Sequence, residues 1–145
     1  MKIYRVQKEN GNGPFVGGLS DRLAILNHLD IFSSQPNHPA PGRDGFEPDD
    51  KYGGYAYCKV FGCLSLKRLQ SWFNPYKVIK DDDDFIKLSV LQKDKKTLID
   101  NNFFIMVYDC PDEYVQIGKS NTQVMFDYTE AEIIYKLPIE KLYEL

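Results

Sequence analysis

Phe103-Phe104-Ile105-Met106-Val107-Tyr108 is an unbroken apolar run, bounded by Asn101-Asn102 on one side and Asp109 on the other. A strand with one wet face alternates apolar and polar residues, whereas a run with no polar position has both faces covered. The run predicts a central strand, which needs strand neighbours on both sides and a packed layer on each face. A chain of 145 residues can supply these in a single domain, 1–145. At this size roughly 68% of the unfolded surface is buried and no covalent staple is required.

The remaining elements follow from the same patterning. Ile3-Tyr4-Arg5-Val6, within Met1 to Gln7, reads as a first strand. Asn10-Gly11-Asn12-Gly13-Pro14 is a turn, and Ser20 caps a helix with Leu23, Ile25 and Leu26 on its apolar face. Residues 33–55, with Pro36, Pro39, Pro41 and Pro48, are the least regular part, and His38 to Gly45 within them can be neither helix nor central strand. A loop of that length is usually functional or disordered. Tyr55 to Gly62 reads as strand. Ser65 then caps a helix from Leu66 to Phe73, with Leu66, Leu69, Trp72 and Phe73 on one face and Pro75 beyond its end. Phe85 to Leu91 reads as strand and Lys93 to Lys96 as a charged turn. Tyr114 to Ile117 and Gln123 to Phe126 form a hairpin about Gly118 to Asn121. Glu132 to Leu137 is a last strand, and Pro138 opens a short terminal helix to Leu145. With helices early and strands late, the class is α+β: a mostly antiparallel split sheet with two or three short helices.

Composition removes several function classes. Eighteen Lys and Arg against 21 Asp and Glu give a net charge of −3, and no basic run is long enough to grip nucleic-acid phosphates. No apolar stretch has the length of a membrane span, and the N-terminus lacks a secretory apolar core. The expectation is a cytoplasmic protein without a membrane partner. Cys58, Cys63 and Cys110, with two His, fit no zinc spacing and read as reduced thiols, so no metal is expected. Asp81 to Asp84 lacks the alternating ligands and glycine of a calcium loop. Neither phosphate-loop motif is present. A Cys–His nucleophile pair is disfavoured, because burial in a strand raises a thiol pKa.

Arg5 stands out as a charge inside an apolar strand, where an unpaired cation is heavily penalised. Three segments then fall in a fixed order: Arg5 on the first strand, Phe61-Gly62-Cys63-Leu64-Ser65-Leu66 where a strand runs into a helix, and Gln123-Val124-Met125-Phe126 on a late strand. This order resembles the mono-ADP-ribosyltransferase fold family, in which a split antiparallel sheet wraps around NAD. The resemblance implies NAD as cofactor, with Arg5 gripping pyrophosphate or ribose through its donor fork. It places Ser65 on the nicotinamide side of the pocket, an aromatic such as Tyr55, Tyr57 or Phe61 stacked on the ring, and His38 on the loop over the pocket. The resemblance then sets Gln123 at the position of the catalytic glutamate that leads the late strand, making Arg5 and Gln123 the candidate catalytic pair.

Gln123 departs from that pattern, because a neutral amide brings no charge to a developing oxocarbenium ion. Glu130 and Glu132 lie close downstream as possible substitutes. A second reading is therefore a non-enzymatic protein on the same scaffold that binds and inhibits a host protein, such as a defence complex. Its acidic segments Asp49-Asp50 and Asp81 to Asp84 would imitate nucleic acid. Small size and a composition rich in Asn, Asp, Lys and Tyr suit a phage product acting on a host protein under either reading.

Overall fold

The computed structural model describes residues 1–13, 44–48, 55, 58–73 and 84–144. The expected helix after Ser20, most of the 33–55 loop, His38, Tyr57 and Asp81 to Asp83 lie outside the described residues. In chain order the elements are β1 (Lys2–Gln7), β2 (Lys59–Gly62), α1 (Leu66–Phe73), α2 (Asp84–Asp100), β3 (Phe104–Asp109), β4 (Val115–Ile117), β5 (Val124–Asp127) and β6 (Glu132–Pro138). Short 3-10 turns cover Asp112–Tyr114, Tyr128–Glu130 and Ile139–Leu142.

The strands form two three-stranded sheets, ordered β1-β3-β6 and β2-β5-β4, with every pairing antiparallel. They join just past the end of β2. There the Tyr4 amide donates to the Cys63 carbonyl at 2.8 Å, and the Cys63 amide returns the bond to the Tyr4 carbonyl at 2.9 Å. The backbones meet so closely that a Cβ at Gly62 would lie 2.7 Å from Ile3 Cγ2 and 2.9 Å from the Tyr4 carbonyl oxygen. A glycine is required at this seam.

β3 is the central strand that its apolar run predicts. Ile105 and Val107 enter one core with Val6, Leu69, Trp72 and Phe73, as well as Leu98, Ile139 and Leu142. Met106 and Tyr108, on the opposite face, enter a second core with Ile3, Val124 and Phe126. Helices thus cover one face of the first sheet and the second sheet covers the other. α1 begins where Ser65 predicts: the Ser65 hydroxyl accepts the Arg68 amide at 3.1 Å, satisfying one of the free donors of the first turn. The Trp72 indole donates to the Thr122 carbonyl at 3.3 Å, fastening α1 to the β4–β5 turn.

The region after Asp84 differs from expectation. Instead of a strand and a charged turn, Asp84–Asp100 is one 17-residue helix. The alternation of Ile86, Leu88 and Val90 in the sequence imitates strand spacing, but the stretch is also rich in Leu and Lys, both good helix formers. A stop signal closes it: Asn102 has φ 63°, its amide donates to Ile99, and the Phe103 amide donates to Leu98. This is the Schellman closure, and Leu98 and Phe103 share a core at its apolar contact. Smaller differences fall at element ends. Tyr55 precedes β2, Tyr114 belongs to a 3-10 turn, and the expected terminal helix is the 3-10 turn Ile139–Leu142 that follows Pro138.

Candidate functional site

Strand alternation places Arg5 on the face of β1 shared by Ile3 and Gln7, opposite Met106. Its guanidinium is held by main chain: Nη1 donates to the Phe61 carbonyl at 2.8 Å and Nη2 to the Gly11 carbonyl at 2.9 Å. Gly11 can reach this position because it turns at φ 87°, and the neighbouring Gly13 leaves room for the guanidinium, since a Cβ there would lie 3.2 Å from Nη2. Arg5 Nε is buried without a hydrogen-bond partner among the described residues. Burial pushes the guanidinium down to about 10, so it remains a cation at neutral pH. Beside it the Tyr108 hydroxyl donates to Gln7 Oε1 at 2.6 Å. Burial pushes the Tyr108 phenol up, against the opposing effects of the Gln7 bond and of Arg5. Arg5 thereby ties β1, the turn after it and β2 together.

Gln123 is buried just ahead of β5 and meets a carboxylate that no sequence motif announces. Asp44 is 1% exposed, so its charge is satisfied wholly within the protein. Its Oδ1 accepts the Ser120 amide at 2.6 Å, while Oδ2 accepts the Ser120 hydroxyl at 2.9 Å and Gln123 Nε2 at 3.0 Å. The Asp44 carbonyl accepts the Lys119 amide at 2.9 Å. Gly118 leaves space for this carboxylate, since a Cβ there would lie 2.1 Å from Asp44 Oδ2. Asp44 therefore locks the segment that carries it onto the β4–β5 turn. Phe46 continues that contact: it is buried and packs edge-on against Phe61 at 5.4 Å.

Of the other candidates, Phe61 is also edge-on to Tyr55 at 5.2 Å, and the Tyr55 hydroxyl donates to the Phe46 carbonyl. The Ser65 hydroxyl is engaged as the cap of α1. The structure brings Arg5 to the main chain of Phe61 and Gln123 to Asp44, and the bonds described for Arg5 and Gln123 have no partner in common. Both Arg5 Nη atoms, the Ser65 hydroxyl and the Gln123 amide are thus engaged within the fold. A carboxylate does stand beside Gln123, but both of its oxygens already accept hydrogen bonds. Cys63 is buried with Sγ 3.5 Å from the Thr122 carbonyl, and burial pushes its thiol up to about 12, which makes it a poor nucleophile. Among the described residues no group of three or more His, Cys, Asp or Glu is placed to hold a metal ion.

These features define an α+β protein with two antiparallel sheets, two described α-helices and a tightly hydrogen-bonded junction around Arg5 and Asp44. The chain belongs to the bacteriophage T4 Y00F protein family, whose model matches residues 1–140. It is accordingly a phage protein, and no ADP-ribosyltransferase family matches it. No curated protein and no solved structure matches the chain significantly. Among the described residues no helix is long and apolar enough to cross a membrane.

Proposed function

We propose that this phage protein acts by binding a host protein, and that its binding, not a reaction at Arg5 and Gln123, is what alters the host. The observation that carries the reading is the internal engagement of the groups that motif order would offer to NAD. Arg5 bonds two main-chain carbonyls, Ser65 caps a helix, and Gln123 bonds Asp44. A guanidinium that bonds Phe61 and Gly11 would have to give up those partners to grip a pyrophosphate, leaving two part-buried carbonyls without their donors.

Two measurements on the full chain test the reading. Calorimetric titration with NAD is expected to give no binding heat. A tagged copy produced in the host during infection is expected to copurify with a host protein that, once identified and purified, binds the phage protein directly. NAD binding that is weakened by Arg5→Ala, together with transfer of labelled ADP-ribose to a host protein, would replace this reading with the transferase one.

A further inference from the structure

We propose that the outer edge of β6 and the turn leading into it dock a basic segment of the host partner, one rich in Lys and Arg around an apolar centre. This deepens the binding function proposed above and rests on it. Among the described residues β6 ends its sheet, with β3 on one side. Ile133, Ile134 and Tyr135 on it are 57%, 45% and 39% exposed, while Val107 on the adjoining strand is fully buried. Tyr128, on the preceding turn, is also exposed. Single exposed apolar side chains are ordinary on a protein surface, but consecutive ones on a sheet edge mark a contact surface.

The local register shapes this patch. Ile133 pairs with Tyr108 and Tyr135 with Val107, and a bulge leaves Ile134 between them. Tyr108 and Val107 point to opposite faces of β3, so Ile133 and Tyr135 also lie on opposite faces and the apolar surface wraps around the edge. That geometry argues against a second copy of the same strand. The antiparallel pairing that sets Glu132 opposite Lys136 of another copy would also set Ile133 opposite a Tyr135 on the wrong face. Lys136 and Pro138 further discourage such pairing.

Charge identifies the occupant. Asp109 pairs with Glu132 where β3 and β6 meet, and Asp112, Glu113 and Glu130 sit on the 3-10 turns beside that end. Of the nearby cations, the Met1 amine lies 3.4 Å from both Asp109 and Asp112 and Lys136 pairs with Glu9, while Lys2 stands over the Tyr135 ring and Lys59 lies opposite Asp127. Glu113, Glu130 and Glu132 have no ion pair among the described residues. Their crowding raises the Tyr114 phenol, through Glu130 first and Glu113 second. An apolar patch rimmed by uncompensated carboxylates complements a basic surface of the kind that proteins present to nucleic acid, and charge of this sort speeds encounter and selects the partner.

The test uses nuclease-treated host lysate separated on heparin. The immobilised full-length protein is expected to capture its partner from the heparin-retained fraction, and added DNA duplex is expected to compete with it. With the purified partner, Ile133→Ser and the double reversal Glu130→Lys/Glu132→Lys are each expected to weaken binding about tenfold, a change of about 1.4 kcal/mol. Ile99→Ser, an exposed apolar site on α2, is expected to leave binding unchanged, and circular dichroism verifies that each variant folds. A directly binding partner that ignores both β6 variants, or that comes from the unretained fraction, overturns this surface but leaves the binding function standing. Self-association lost in Ile133→Ser would assign the edge to a second copy and overturn the basic partner. NAD binding with no host partner would instead overturn the binding function on which the surface rests.

Discussion

Asp44 carries much of the junction's design, and its chemistry decides what Gln123 can become. Placing a carboxylate there by Gln123→Glu would set a second acid about as close to Asp44 as the amide, 3.0 Å from Asp44 Oδ2, within a buried network. Two carboxylates at that distance cannot both ionise cheaply, so the folded pKa of one rises above its unfolded value near ~4.3. A raised folded pKa stabilises the protein below the unfolded value, and that contribution is lost as pH rises through the folded one. The variant is therefore expected to be less stable than the parent by roughly 2–4 kcal/mol at neutral pH and to regain stability towards pH 4, as urea unfolding at several pH values would measure. Cys63 follows the same rule. Its thiol is raised by burial to about 12, so its contribution is present below pH ~8.5 and is lost as pH climbs from there through about 12. At pH 8 a thiol reagent is expected to label half-exposed Cys58 rapidly and the buried Cys63 and Cys110 slowly. Mass spectrometry over time would measure the order. Arg5 announced itself in the sequence as a charge in an apolar strand, but its partners did not. They are main-chain carbonyls, a group every residue carries, so no side-chain motif marks them. Asp44 was illegible for a related reason: its partners Ser120 and Gln123 lie on a distant turn, and no local spacing encodes that meeting.

At the scale of elements, legibility follows how local the determinants are. The Ser65 cap, the β4–β5 hairpin and the buried β3 strand are written in neighbouring residues, and all three stand where patterning places them. α2 was misread because its apolar positions alternate over a short window, whereas its decisive signal lies at the far end, in Asn102 and Phe103. That closure is open to test. Glycine adopts a positive φ without the Cβ penalty, so Asn102→Gly is expected to match or exceed the parent in stability, while Asn102→Ala is expected to cost about 1 kcal/mol. Thermal unfolding followed by circular dichroism would distinguish them, and equal loss in both variants would remove the closure from the account.

Across the whole molecule, stability is expected to be graded outward from β3. Its Ile105 and Val107 are fully buried, and it pairs with β1 and β6, whereas the other sheet ends in the three-residue β4. In native-state hydrogen exchange the β3 amides are expected to be the slowest and those of β4 among the fastest. Slow exchange in β4 would mean that the second sheet, rather than the first, is the stable nucleus. The sequence shows the class and the central strand because burial on both faces leaves a compositional trace. It does not show that the strands divide into two sheets meeting at Tyr4 and Cys63, because that crossing is made by main-chain bonds between segments far apart in the chain.

The bare backbone at residue 62 has a genetic corollary. Every single-base replacement that turns its codon into one for another amino acid inserts a side chain where Ile3 and Tyr4 already stand. Drift in a phage genome can thus recolour the outward faces of this protein while that one codon stays closed, a hinge pin on which both halves hang.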